Sequence, residues 1–230
     1  SNLRVILFNI QNGIIADQHN NYDNFVEWIK KWDPDICIWC ESESIYKDKS
    51  NTSSGNSKYL PDNWDKVAAR YGHSYVAVGG NRDNYPQTVT SKYPIKTIKR
   101  ITDTDDAGKY GVKYVSHGAG HFQVEVHGKK INIVTCHMWP QAYAPNKNTQ
   151  ASKDANEGNY FREYEMKYIV KKTVNNSSYA GEEYWLFGGD TNSRSPYDEW
   201  YYGTSTFGPH KYLVHKHIIE NTDLKDVIAD

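Results

Sequence analysis

Apolar and polar positions fall in blocks along the chain, and each block predicts an element. LRVILFN (3–9) is nearly continuous in apolar residues and predicts a buried strand. In NNYDNFVEWIKKW, the residues Tyr22, Phe25, Val26 and Ile29 fall at i, i+3, i+4 and i+7, one face of a helix. Asn20 or Asn21 is placed to cap this helix and Pro34 to end it. DICIWCE (35–41) predicts a second buried strand. The opening segment is therefore strand–helix–strand, the unit from which parallel pairs are built.

Residues 42–61 are polar and predict a loop. A second helix is expected over about 62–71, with Asp62 as cap, Trp64, Val67, Ala68 and Tyr71 as its face, and Gly72 as stop. From 74 to 137 the pattern turns to strands: SYVAVG, QTVTS, IKTIKR, HFQVEV and INIVTCH, the last two joined through HGKK (127–130) as a hairpin. A long loop is expected over 138–158, and a third helix over about 159–174 with Phe161, Tyr164 and Tyr168 along one side. YWLFGGD (184–190) and DLKDVIA (223–229) read as the last strands. The pattern is mixed α/β, in one domain over 1–230, and two packed sheets flanked by helices would bury both strand faces.

Composition narrows the function classes. The 27 Lys and Arg against 28 Asp and Glu give a net charge of −1, which argues against a generally basic nucleic-acid coat or a polybasic membrane binder. A local basic groove stays open: Lys92, Lys96, Lys99 and Arg100 lie along one β segment, though alternate positions point to opposite faces. No apolar run approaches the ~18 residues of a membrane-spanning helix, and a monomer is expected. Cys37, Cys40 and Cys136 sit in apolar strand-like runs and read as buried thiols. The Cys37-x-x-Cys40 spacing lacks the turn residues of a zinc or redox knuckle. The chain starts almost directly on a strand, with no signal peptide, and its many Asn, Ser and Thr lean toward a secreted or periplasmic protein.

The candidate chemistry sits at strand ends. Asn9 closes the first strand, Glu41 the second, His137 the strand INIVTCH, and Asp190 with Asn192 the strand YWLFGGD. Singly, each has a plain structural reading: a turn Asn, a first solvated Glu, a structural His, an Asx turn. Together, polar groups ending several strands can converge at one sheet edge, where α/β folds bind ligands. Glu41 is a hard oxygen donor suited to Mg²⁺ or Mn²⁺, and Asn9 can add a neutral oxygen or orient that carboxylate. Asp190 can orient or deprotonate a water, Asn192 can hydrogen-bond a phosphate oxygen, and His137 can contact the phosphate or protonate a leaving oxygen.

At these residues the sequence resembles the endonuclease/exonuclease/phosphatase, or DNase I-like, family. FNIQNG, PDICIWCE, TVTSKYPI, VTCHMWP and GGDTN match its five ordered motifs over roughly residues 3–195. The resemblance implies a four-layer α/β sandwich of two mixed sheets flanked by helices. It implies metal-dependent hydrolysis of a phosphate ester by in-line water attack. Glu41 would be the metal ligand helped by Asn9, Asp190 and Asn192 would handle water and phosphate, and His137 would contact phosphate or serve as acid. The substrate could be nucleic acid, a phosphoinositide, a phospholipid headgroup or a small phosphodiester. The family usually ends in a Ser-Asp-His motif, and this sequence stops at DLKDVIAD without one. The expectation is thus a phosphoesterase domain lacking the usual C-terminal end, or a catalytically impaired member that acts as a ligand-binding module.

Further features are open to both structural and functional readings. His215-x-His217 would share one face of a strand, but no third metal ligand pairs with it. His121 leads a strand and could contact phosphate, and Arg82 could touch substrate. Trp139 and Tyr143 could form a substrate wall, and SPYDEWYYG (195–203) could stack on a base, sugar or headgroup.

Overall fold

The computed structural model describes residues 2–43, 64–81, 84–105, 108–140, 143–145, 151–153, 158–202 and 209–228. Its strands are β1 (Val5–Asn9), β2 (Ile36–Cys40), β3 (Tyr75–Gly79), β4 (Gln87–Ser91), β5 (Ile95–Asp103), β6 (Tyr114–Val126), β7 (Lys129–His137), β8 (Tyr143–Pro145), β9 (Ala151–Lys153) and β10 (Tyr184–Asp190). The helices are α1 (Gln11–Ile14), α2 (Asp23–Trp32), α3 (Trp64–Arg70), α4 (Asn159–Lys172), α5 (Glu199–Tyr202) and α6 (Leu213–Asn221).

The alternation inside ICIWC sets the layers. Ile36 and Ile38 pack with Val89, Phe122, Val124 and Ile133 between the two sheets. Cys37 and Trp39 point the other way, onto Phe25, Ile29, Trp64 and Val67 of α2 and α3. On the second sheet, Val134 and Cys136 pack outward on Met166, Ile169 and Val170 of α4 and on Val214 of α6. The result is helix, sheet, sheet, helix, the four-layer arrangement expected from sequence.

The sheets repeat one plan. The first has the order β1-β2-β4-β3 and the second β10-β7-β6-β5. In each, an edge pair is parallel (β1 with β2, β10 with β7) and the remaining neighbours are antiparallel. The crossover from β1 to β2 runs through α2, as the opening strand–helix–strand pattern predicts.

Several expectations are corrected. Neither Asn20 nor Asn21 caps α2: the residue before it is Tyr22, in left-handed conformation with no side-chain cap. Asp17 from the preceding turn accepts from Phe25 N at 2.9 Å instead. The predicted loop at 138–158 contains the short pair β8–β9. DLKDVIA is not a strand over its described residues, 223–228. His215 and His217 lie on α6, so a two-residue spacing does not put them on one face. The buried side of α4 is Phe161, Arg162, Glu165, Met166, Ile169 and Val170, with Tyr164 and Tyr168 only half-buried. The predicted cap Asp62, the loop 44–61, and Arg82 lie outside the described residues. All three cysteines are buried free thiols, as expected.

Candidate active site

Two parallel pairs, one from each sheet, end side by side. Asn9 is paired with Cys40 at the end of β1 and β2, so Glu41 follows directly. His137 is paired with Asp190 at the end of β7 and β10. The sheets face each other across this edge, and Asn9 Nδ2 donates to Asp190 Oδ2 at 2.8 Å from one sheet to the other. Asn192 N donates to the second carboxylate oxygen, Oδ1, at 3.0 Å, and Asn192 Nδ2 donates to Met138 O at 3.0 Å. The five residues singled out from sequence, Asn9, Glu41, His137, Asp190 and Asn192, therefore form one constellation at the carboxyl ends of the strands.

The backbone is strained where it serves this edge. Glu41 (φ 55°), Tyr85 (φ 48°) and Asn192 (φ 47°) all take left-handed conformations. For a residue with a Cβ this costs about 1–2 kcal/mol, and such strain gathers at functional sites. At Glu41 the reversal turns the carboxylate back to meet Asn12 N, which donates to Oε2 at 3.3 Å. Before Asp190, Gly188 and Gly189 allow a close approach. A Cβ at Gly188 would run into Leu7 of the opposite sheet, and one at Gly189 into the Cys136 carbonyl of the neighbouring strand.

His137 is held on several sides. Its Nδ1 lies 3.0 Å from Tyr85 O, and because a carbonyl only accepts, Nδ1 carries a proton. Nε2 faces Glu41 Oε1 and Asp190 Oδ2, each at 4.0 Å. His117 lies against the ring, with centroids 4.3 Å apart and planes at 38°. Burial pushes the pKa of His117 down to about 3, the neighbouring His137 adds to this, and a hydrogen bond with the Asn84 backbone opposes it. Tyr85 escaped the sequence reading because it acts through its carbonyl. Its signal was its place in the loop leading into the TVTSKYPI strand.

Asn9 is committed by its chemistry. Nδ2 donates to a carboxylate, and Oδ1 accepts from Gln11 N at 3.1 Å, which fixes the amide orientation. Glu41 keeps a partly exposed carboxylate, 23% accessible. Among the described residues no group of three His, Cys, Asp or Glu is arranged to hold an ion. The donor set suits a hard cation that takes one or two carboxylates and fills its shell with water and substrate oxygens, as Mg²⁺ does. It does not suit zinc, which needs several nitrogen or sulfur ligands.

Other sequence candidates lie elsewhere. His121 is buried, bonded to Asn132 at 2.8 Å and stacked on Trp185, near the other end of β7 and β10. His215 pairs with Ser193 Oγ at 3.1 Å beside a cavity of about 760 Å³ that reaches Asn192. Of the basic run, Lys92 is spent on Asp33 and Asp35, and Arg100 donates to Gly80 O. Lys96 and Lys99 are exposed. Trp139 is stacked on His117 at 6.5 Å and packs on Phe161 of α4. Trp200, 84% exposed, lines the Asn192 cavity, and Tyr201, 70% exposed, packs on Trp200. A cavity of about 1140 Å³ opens at the opposite strand ends, around Arg4, Lys92 and Lys129, away from these residues.

The sequence matches no protein-family model and no curated protein. Solved structures do resemble it. Beta toxin from Staphylococcus aureus with bound magnesium ions is 16% identical, with 99% of this chain and 72% of that one covered at a TM-score of 0.59. An AP endonuclease from Archaeoglobus fulgidus is 16% identical over 95% and 70% of the two chains, at a TM-score of 0.56. Sphingomyelinase C from Streptomyces griseocarneus is 18% identical over 86% and 67%, at a TM-score of 0.54.

Proposed function

We propose that this chain, which has the DNase I-like fold, is a divalent-metal-dependent phosphoesterase that hydrolyses a phosphodiester or phosphomonoester by in-line water attack. The observation that carries this reading is the meeting of Asn9, Glu41, His137 and Asp190 at one edge, from two sheets. Similarity to structures named as an endonuclease and a sphingomyelinase supports the reaction class and leaves the substrate open. The magnesium ions in the beta toxin structure support Mg²⁺ or Mn²⁺ as cofactor.

In this reading Glu41 would hold the ion, helped by Asn9. When bound, the ion supplies neutralisation of charge building on the phosphoryl oxygens. Asp190 accepts the proton of the attacking water. Its two oxygens are aimed by Asn9 Nδ2 and Asn192 N, so little reorientation is needed at the moment of transfer. The new P–O bond forms from the water oxygen, and the opposite P–O bond breaks with its electron pair on the leaving oxygen. His137 Nε2 faces that space and hydrogen-bonds a phosphoryl oxygen or protonates the leaving oxygen. Since Nδ1 already donates to Tyr85 O, donation from Nε2 uses the doubly protonated ring.

The test is turnover of bis(p-nitrophenyl) phosphate and p-nitrophenyl phosphate with Mg²⁺, with Mn²⁺ and with excess EDTA. EDTA-sensitive turnover is expected, and a preference for the diester would direct the substrate search to nucleic acids and phospholipids. No turnover of either ester, together with no calorimetric binding of Mg²⁺ or Mn²⁺, would overturn the reading.

A further inference from the structure

We propose that His117 is a positioning residue for His137: its ring, lying between His137 and Trp139, fixes the plane of the His137 imidazole and so the direction in which Nε2 faces the reaction space. The effect on rate rests on the phosphoesterase reading above, whereas the geometry does not.

The Cβ–Cγ bond and the hydrogen bond from His137 Nδ1 to Tyr85 O restrain the ring, but one hydrogen bond tolerates about 30° of bend before it weakens. A face contact narrows that range, and His117 supplies one at 4.3 Å. His117 is backed in turn by Trp139, stacked at 6.5 Å and 29°, and Trp139 stands edge-on to Phe161 at 5.8 Å. Tyr85 closes the side, edge-on to His117 at 5.4 Å and to His137 at 6.5 Å. A column of rings thus runs from the α4 core to the catalytic edge.

The backbone under His117 has little slack. Its carbonyl accepts from Asn81 N at 2.9 Å, the Gly118 carbonyl from Gln87 Nε2 at 3.2 Å, and the Ala119 carbonyl from Gly80 N at 2.9 Å. Gly118 sits at φ 81° within β6 with the Gly80 backbone against it, so the strand beside His117 cannot carry a bulkier residue there. Burial keeps His117 uncharged, and a neutral ring packs against His137 without charge repulsion.

The test uses protein with ¹⁵N-labelled histidine rings, wild type and the variants His117→Ala and His117→Phe. In the wild type the ring correlations of His137 are expected to report Nδ1–H. In His117→Ala they should broaden as the ring turns more freely about Cβ–Cγ, and kcat for bis(p-nitrophenyl) phosphate should fall about tenfold with KM changed less than about twofold. His117→Phe keeps a flat ring in the column and should return both the His137 signals and kcat toward wild type. Unchanged His137 signals in folded His117→Ala would overturn the proposal. If the alanine variant does not fold, displaced His137 signals in His117→Phe would overturn it and retained ones support it. Absent turnover in the wild type would count against the phosphoesterase reading and leave the ring signals to judge His117.

Discussion

Asn9 and Asp190 are 181 positions apart in the chain, lie on different sheets, and are joined by a 2.8 Å hydrogen bond from amide to carboxylate. One bond therefore ties the end of β1 to the end of β10. Replacing Asn9 by Ala should free Asp190 to rotate and lower kcat by about 10–100-fold. Circular dichroism should show the fold intact. An unaltered kcat in folded protein would remove Asn9 from the site.

Asp190→Asn keeps the shape of the side chain and removes the carboxylate proposed to accept the proton. We expect kcat to fall by about 10²–10⁴-fold with substrate binding nearly unchanged. Steady-state kinetics decide the point, and a variant with only a raised KM would contradict a role in the chemical step.

Glu41→Gln should abolish metal-stimulated turnover while the protein stays folded. Titration calorimetry with Mg²⁺ checks the cause: binding should be lost along with activity. Wild-type activity at low millimolar Mg²⁺ would sink the assignment of Glu41 as ligand.

Glu165 predicts how stability follows pH. Burial pushes its pKa from 4.5 up to about 8, against a hydrogen bond from Ser116 and the pull of Arg162. Between those values the folded protein holds a proton there that the unfolded chain has released, so stability falls as pH rises through this window. His73, His117, His121 and His215 act in the other direction: burial lowers each below 6.5, so stability is lost as pH falls through about that value. The two windows overlap below 6.5, where four histidines outweigh one carboxyl, so melting temperature against pH should peak near 6.5, and Glu165→Gln should flatten the alkaline limb above it. An unchanged alkaline limb in that variant would refute the assignment.

Gly188→Ala adds one methyl where the two sheets touch, against Leu7. Overpacking of this kind costs about 1–3 kcal/mol. A lowered melting temperature and a larger loss of kcat than of secondary structure are expected, since the shift falls between Asn9 and Asp190. A variant with wild-type values of both would show that the sheets have slack here.

The sequence made the strands and the site legible for the same reason. An apolar run marks a strand, and the polar residue that closes it is conspicuous, as Asn9, Glu41, His137 and Asp190 are. Of these four strands only β2 is buried throughout: Val5, Leu7 and Phe8 of β1 are exposed and β10 is half-buried. What escaped was whatever depends on tertiary context. Arg162 and Glu165 are charged in sequence but buried in α4, where Arg162 donates to Trp139 O and Pro140 O and Glu165 accepts from Ser116. They break the apolar stripe that a helical wheel looks for. Asp17 supports α2 from outside the segment where a cap is sought. Asn12 N and Tyr85 O shape the site through the main chain, which no side-chain pattern reveals.

The division of the site between two sheets has an evolutionary consequence. Asn9 and Glu41 are inherited on one ledge, His137 and Asp190 on another, and the seam between them is filled by Leu7, Ile38, Phe122 and Gly188. Drift in the loops leaves the two ledges in step. A change of volume in the seam moves one ledge past the other and must be answered from across it. Covariation should therefore concentrate among seam residues that never touch a substrate.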